Sequence, residues 1–374
     1  MSGVAGGHLI LQHLRKEWFL GFSLLSVLVF ALGGEAMFAH LPETGGFTLL
    51  FLWLFAAVLG SCLNVVRHAD GIAEILGEPY GTLVLTLSVT TIEVLGISAV
   101  MLHGDNNPTL VRDTLFSVVM VILGGMAGLS LLLGGWRHRE QPFNLQGANS
   151  YLGVIIPLAV LSLVLPNFTR TTEGPMLSAM QQLFIALMCG GLYCAFLALQ
   201  TGRHKAYFTA VIGAPHPAEH VHEKGALPRH AVLLLAYIVP VAFLAEAMAH
   251  PIDYLIETLH APAVLGGVII AIIVATPEAV GALRAAMANK LQLSVNIFLG
   301  SVLSTIGLTV PVMLVISHAT GHPVFLGLPG TDQVLLLLTL AVSVVTFSSG
   351  RTNIMQGAVH VVLFAAFLLM MFDA

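Results

Sequence analysis

Charge is what this chain has least of. Its 374 residues include 14 lysines and arginines and 19 aspartates and glutamates, so 9% are charged against 57% apolar. Soluble domains keep about a quarter of their residues charged, and a soluble globular enzyme is thereby excluded. Cysteine is scarce too. Cys62, Cys189 and Cys194 all lie in apolar runs, with no CxxC and no Cys/His spacing for a metal, and they read as core packers. A net charge of -5, spread over short polar segments, builds no basic face for DNA or RNA. No Ser/Lys dyad, paired aspartates or HExxH falls within an apolar run, which leaves an intramembrane enzyme without its machinery. A cleavable leader is also missing. The run after Arg15 and Lys16 is too long for a signal h-region and has no small-residue cleavage site, so it is expected to remain as a first span.

What is present is hydrophobicity. Mean hydropathy is +0.93, and one membrane span takes about 20 apolar residues. Apolar runs cover 18–38, 47–66, 81–102, 115–133, 151–166, 180–200, 231–248, 263–286, 293–317, 333–347 and 354–372, separated by Gly, Pro, His or charge. With a cytoplasmic N-terminus, 12 of the 14 basic residues fall on the cytoplasmic side, leaving only Arg112 and Arg170 outside. The positive-inside rule therefore supports eleven helices and an external C-terminus. The expected fold class is an all-α polytopic membrane protein.

The polar stretch from Thr201 to Arg229 splits the runs into five before it (the second to the sixth) and five after it. An odd number of spans per half makes the second half enter the membrane from the opposite side, the arrangement of an inverted-topology repeat. Residues 1–40 are then an extra N-terminal helix, 41–200 the first repeat, 201–229 a cytoplasmic histidine-containing loop and 230–374 the second repeat. Local sequence agrees. GTLVLTLSVTTIEVLG (Gly81 to Gly96) and GGVIIAIIVATPEAVG (Gly266 to Gly281) share Gly at -12, Thr at -2 and Gly at +3 around Glu93 and Glu278, at a constant offset of 185.

A carboxylate near the bilayer centre costs at least about 2.5 kcal/mol, so an intramembrane acid faces a cavity, a partner or an ion. Glu93 and Glu278 are such acids. Ser88, Thr90, Thr91 and Thr276 precede them with hydroxyls able to coordinate a hard cation or to hydrogen-bond a protonated acid. Pro277 cannot donate to the helix ladder, which predicts a broken helix beside Glu278. Two facing glutamates supply a charge of -2 and four oxygens, suited to Ca²⁺, and protons can compete for the same oxygens. Competition for one site with alternating access is sufficient for antiport. The following run, LQLSVNIFLGSVLSTIGLTVP, adds Asn296, Ser301, Ser304 and Thr305 at depth, whereas the run after Glu93 offers only Ser117 and Ser130 besides glycines. Coordination is thus expected to be lopsided. The alternative reading of these groups is plain interhelical hydrogen bonding.

These segments resemble the calcium/cation antiporter superfamily, specifically its calcium/proton exchanger branch and the bacterial ChaA-type antiporters within it. The likeness runs from about Gly71 to the C-terminus through GEPYGTLVLTLSVTTIEV, LLLGGWRHREQPFNLQGANSYL and ATPEAVGALRAAMANKLQLSVNIFLGSVLSTIGLTVPV. The resemblance implies that the first and third segments are paired repeats lining an ion site. It makes Glu93 and Glu278 the essential carboxylates, puts Ser301 and Ser304 at ligand positions, and implies exchange of cytoplasmic cation for external protons at a bacterial inner membrane. The departures concern the ligands. The exchanger pattern GNA-x-E is VTTIE around Glu93 and VATPE around Glu278, Ser304 stands where many exchangers carry glutamine, and the run after Glu93 lacks the family's asparagine. ChaA-like members are associated with Na⁺ and K⁺ as well as Ca²⁺, so Na⁺/H⁺ or K⁺/H⁺ exchange is the alternative on the same fold, and a passive cation channel a further class. No cofactor is expected. The implied partners are cations, protons and the lipid bilayer, and a homo-oligomer is compatible with them.

Other features have secondary roles. His204, His216, His220, His222 and His230 surround the cytoplasmic loop, where His216, His220 and His222 suit pH sensing better than metal binding. Asp70, Glu74 and Glu78 at the cytoplasmic entrance, and Glu246, Asp253 and Glu257 at the outer one, would concentrate cations. Glu246 lies deepest in an apolar run and is a candidate gating residue.

Overall fold

The computed structural model describes residues 17–39, 44–77, 80–103, 107–172, 175–208 and 226–373. Among them, helices occupy every apolar run. We label these α1 (Trp18–Ala39), α2 (Thr44–Leu76), α3 (Tyr80–Met101), α4 (Leu110–His138), α5 (Leu145–Phe168), α6 (Ala179–Thr201), α7 (Ala226–Thr258), α8 (Val264–Met287), α9 (Leu291–Thr320), α10 (Gly330–Thr346) and α11 (Ile354–Asp373). Nine of the described helices are long and apolar enough to cross a membrane; the shorter apolar helices are Trp18–Gly34 within α1 and α10. At 33 residues α2 measures about 50 Å at 1.5 Å per residue, more than the hydrocarbon core of about 30 Å. Its last turns, carrying Arg67, His68, Asp70 and Glu74, extend beyond the apolar run.

Packing relates the two halves pairwise. The helix pair α3 with α7 has its counterpart in α8 with α2, α4 with α8 in α9 with α3, α11 with α4 in α6 with α9, and α5 with α9 in α10 with α4. The pairing of α2 with α7 is its own counterpart. Glycines allow the closest crossings. A Cβ on Gly267 of α8 would stand 2.7 Å from the Asp113 backbone of α4, and one on Gly128 of α4 would stand 2.9 Å from the Val361 nitrogen of α11. As a result α4 is almost wholly enclosed by its neighbours. Two short strands, β1 (Gln141–Pro142) and β2 (Arg351–Thr352), pair antiparallel and tie the α4–α5 connection to the α10–α11 connection.

Two local departures from the sequence expectation bear on the site. Pro277 does not break α8, which runs helical from Val264 to Met287. The Thr276 hydroxyl donates to the Ile272 carbonyl, one residue before the Ile273 carbonyl whose backbone donor the proline removes. Irregular backbone lies elsewhere, and of the four π-helical turns among the described residues two concern the site, Met120–Met126 of α4 and Thr305–Thr309 of α9. Their first residues are also 185 apart, the spacing of the two glutamates.

Candidate cation site

Glu93 comes from the middle of α3 and is 1% exposed. Its Oε2 accepts a hydrogen bond from the Thr305 hydroxyl at 3.1 Å. Thr309, at the other end of the same π-helical turn, also lies beside the carboxylate. Four residues apart, the two threonines share one face of α9. Oε1 of Glu93, Oγ1 of Thr90 and Oγ1 of Thr309 are buried and make no hydrogen bond among the described residues. Native structures rarely leave such atoms without a partner, and two of these three, Glu93 Oε1 and the Thr309 hydroxyl, belong to one carboxylate and its neighbour.

Glu278 comes from α8, and its Oε2 accepts the hydroxyl hydrogen of Ser301, one turn before Thr305 on α9. The two glutamates lie within electrostatic reach of each other, and Asp70 is within reach of Glu278. Their surroundings differ. Glu278 lines a cavity of about 700 Å³ whose wall includes Asp70, Glu74, Asn296, Ser301 and Ser304 and which extends to Lys205 at the α6–α7 end of the bundle. Glu93 does not line it. Toward the opposite ends of α3 and α8, Val100, Met248, Ile252 and Ile270 close an apolar cleft of about 20 Å³, room for about one water molecule.

The site therefore brings together Glu93, Glu278, Ser301 and Thr305 from the sequence expectation, and Thr90 is buried with an unpartnered hydroxyl on the same helix as Glu93. Ser304 lines the cavity, but its hydroxyl donates to the Ser301 carbonyl at 2.9 Å. Asn296 also lines it and is held by the Phe208 carbonyl and Gln292. Thr91 and Thr276 are not brought to the carboxylates. Each folds its hydroxyl onto its own helix, Thr91 to Leu87 and Thr276 to Ile272, and these two contacts are again 185 residues apart. Glu246 is exposed on α7 and does not line the cavity that Glu278 faces. Glu74 is exposed at the cavity mouth. Glu78, His216, His220 and His222 lie outside the described residues. Thr309 is the residue that sequence reasoning missed, and its spacing of four from Thr305 is the signal that could have found it. The lopsidedness is pronounced, because the positions on α4 that match Ser301 and Thr305 at the repeat offset are the buried Phe116 and Met120.

The model of the sodium/calcium exchanger protein family matches residues 46–202 and 229–372. The chain belongs to the sodium/calcium exchanger family. It is 38% identical over 362 residues to the sodium-potassium/proton antiporter ChaA of Escherichia coli (strain K12), covering 96% of this chain and 97% of that protein. It is 24% identical over 328 residues to the Ca²⁺/H⁺ antiporter ChaA of Bacillus subtilis (strain 168), covering 86% of this chain and 90% of that one. Among solved structures, native YfkE superposes with a TM-score of 0.73 at 20% identity, covering 95% of this chain and all of that one. The fold is thus that of an exchanger membrane protein, and the bilayer is its setting.

Proposed function

We propose that this exchanger-family chain is a secondary active antiporter that exchanges cytoplasmic Ca²⁺ for external H⁺ at Glu93 and Glu278. The observation that carries the reading is the pairing itself. Two intramembrane carboxylates at the repeat offset stand within electrostatic reach, one lining a polar cavity and one sealed from it. A cation or a proton neutralises the same oxygens, so one excludes the other, and coupling follows from competition. Ser301 and Thr305 hydrogen-bond the carboxylates and supply neutral oxygens when a cation replaces the shared hydrogens. By the distribution of basic residues the cavity opens to the cytoplasm. The membrane is accordingly the bacterial inner membrane, with the N-terminus inside and the C-terminus outside. Residues 41–200 and 230–374 act as inverted repeats around the site, and the symmetric helix pairing supports them.

A second reading, Na⁺ or K⁺ against protons, is favoured by one specific feature. With Phe116 and Met120 at the α4 positions, α4 adds no side-chain oxygen to match Ser301 and Thr305, and so small a set of neutral oxygens suits a monovalent ion. Ca²⁺ takes six to eight oxygens. Proteoliposomes with an imposed pH gradient separate the readings. Gradient-driven uptake of radiolabelled Ca²⁺ that excess Na⁺ and K⁺ do not suppress supports the first, and uptake of Na⁺ or K⁺ without Ca²⁺ supports the second. Equal flux after collapse of the pH gradient would remove antiport altogether.

A further inference from the structure

Outside the ion site, the described residues hold one more cluster of titratable groups at the cavity end, where α1, α2 and α7 converge. His68 of α2 is 1% exposed, and its Nδ1 lies 3.0 Å from Nδ1 of His230 at the start of α7. Arg67 Nη2 is 3.2 Å from His68 Nε2 and 2.5 Å from Glu17 Oε2, just before α1. The Tyr237 hydroxyl of α7 donates to the same carboxylate oxygen at 3.2 Å. The His230 ring can lie this close to α2 because residue 71 is glycine, where a Cβ would meet the imidazole at 2.6 Å.

Proton bookkeeping limits what this arrangement tolerates. With both imidazoles neutral, Arg67 donates to His68 Nε2 and His68 Nδ1–H donates to His230 Nδ1, so every contact has one donor and one acceptor. One added proton is accommodated, since His68 Nε2–H can turn to Glu17 Oε2, 3.4 Å away. A second places two N–H donors and two cations face to face. Arg67 and Arg229 add to that repulsion, and only Glu17 and Glu74 offset it. Burial alone would raise the Glu17 carboxyl. Arg67, His68 and the Tyr237 hydroxyl together hold it below the usual carboxylate range, so it stays anionic while imidazoles titrate.

We propose that His68 and His230 form a proton-released latch, fastening α2 to α7 at the cavity end at neutral and alkaline pH and letting go when that face turns acidic. The same turns of α2 that carry His68 and Gly71 toward α7 present Asp70 and Glu74 to the cavity. Release of the latch therefore alters the cavity mouth. The latch is independent of which cation is carried, and its test separates it from the ion site.

The test uses the full chain in nanodiscs with Cys194, the exposed thiol, replaced by serine. Glu93→Gln and Glu278→Gln remove titration at the ion site. Spin labels at Leu76→Cys and Leu227→Cys, both exposed at the ends of α2 and α7, report the separation. From about pH 8 to about pH 4.5, a window that reaches far enough below the reference imidazole pKa of about 6.5 for the second proton to be added, the distance distribution should lengthen by several ångströms. With His230→Gln or His68→Gln added it should stay fixed. No change in the parent, or an equal change in both glutamine variants, overturns the latch. Ring-nitrogen NMR of the parent needs no histidine variant: a coupled pair loses its protons in two linked steps, and independent single-step titration of each ring would also overturn it.

Discussion

Ser301 and Thr305 stand one turn apart on α9, and each gives its hydroxyl hydrogen to a different acid, Ser301 to Glu278 and Thr305 to Glu93. One turn of one helix thus holds both carboxylates, although the acids come from different repeats. Thr305→Val keeps the side-chain shape and removes the donor. It also removes the neutral oxygen that would join a cation's coordination shell, so apparent cation affinity should fall roughly tenfold, about 1.4 kcal/mol. Initial-rate transport against cation concentration measures it, and an unchanged half-saturation value would remove Thr305 from the site.

The carboxylates themselves allow a sharper outcome. Glu93→Gln and Glu278→Gln should each reduce proton-driven exchange to the level of protein-free liposomes while the purified protein elutes as the parent does on size exclusion. Exchange at the parent rate in either variant would end the proposed mechanism.

Met120 offers a gain-of-function test. It occupies on α4 the position that Thr305 occupies on α9, but its thioether accepts the Thr339 hydroxyl of α10 at 3.5 Å and offers a cation no oxygen. Met120→Asn adds a neutral oxygen donor of the kind Ca²⁺ accepts. The ratio of Ca²⁺ to Na⁺ transport should rise, read by competition between the two ions in one vesicle preparation. A fall in both rates would show that the residue only fills space.

At the cavity mouth, Asp70 lies within electrostatic reach of Glu278. Asp70→Asn should lower the apparent on-rate for cations at low ionic strength, and the difference from the parent should shrink as salt approaches about 0.15 M, where the Debye length is about 8 Å. Stopped-flow exchange at several salt concentrations checks this. A deficit that salt does not change would argue for direct ligation.

Much of this was legible in the sequence because lipid makes strong demands. Eleven apolar runs became helices because a chain in hydrocarbon must satisfy its own backbone, and Glu93 and Glu278 stood out because an intramembrane acid needs a reason to be there. The hydroxyl partners were harder to read. Which threonine reaches Glu93 depends on how α9 packs against α3, and nothing local in TIGLT marks it. Thr91 and Thr276 looked like ligands by proximity in sequence, yet their hydroxyls bond their own helices. Pro277 predicted a break that the surrounding helix absorbed. Glu246 looked deep in its run, but the helix face it occupies points outward, and burial by depth is not burial by contact.

The unequal wetting of the two acids sets the order of events for an arriving ion. On the proposed route it meets Glu278 while still largely hydrated, in a cavity that Asp70 and Glu74 also line, with room beside it for its remaining water. Only deeper, against Glu93, must the last of that shell come off, in a compartment too dry to give it back. Selection between ions of different hydration strength is therefore concentrated at the second contact, and the first can afford to be permissive.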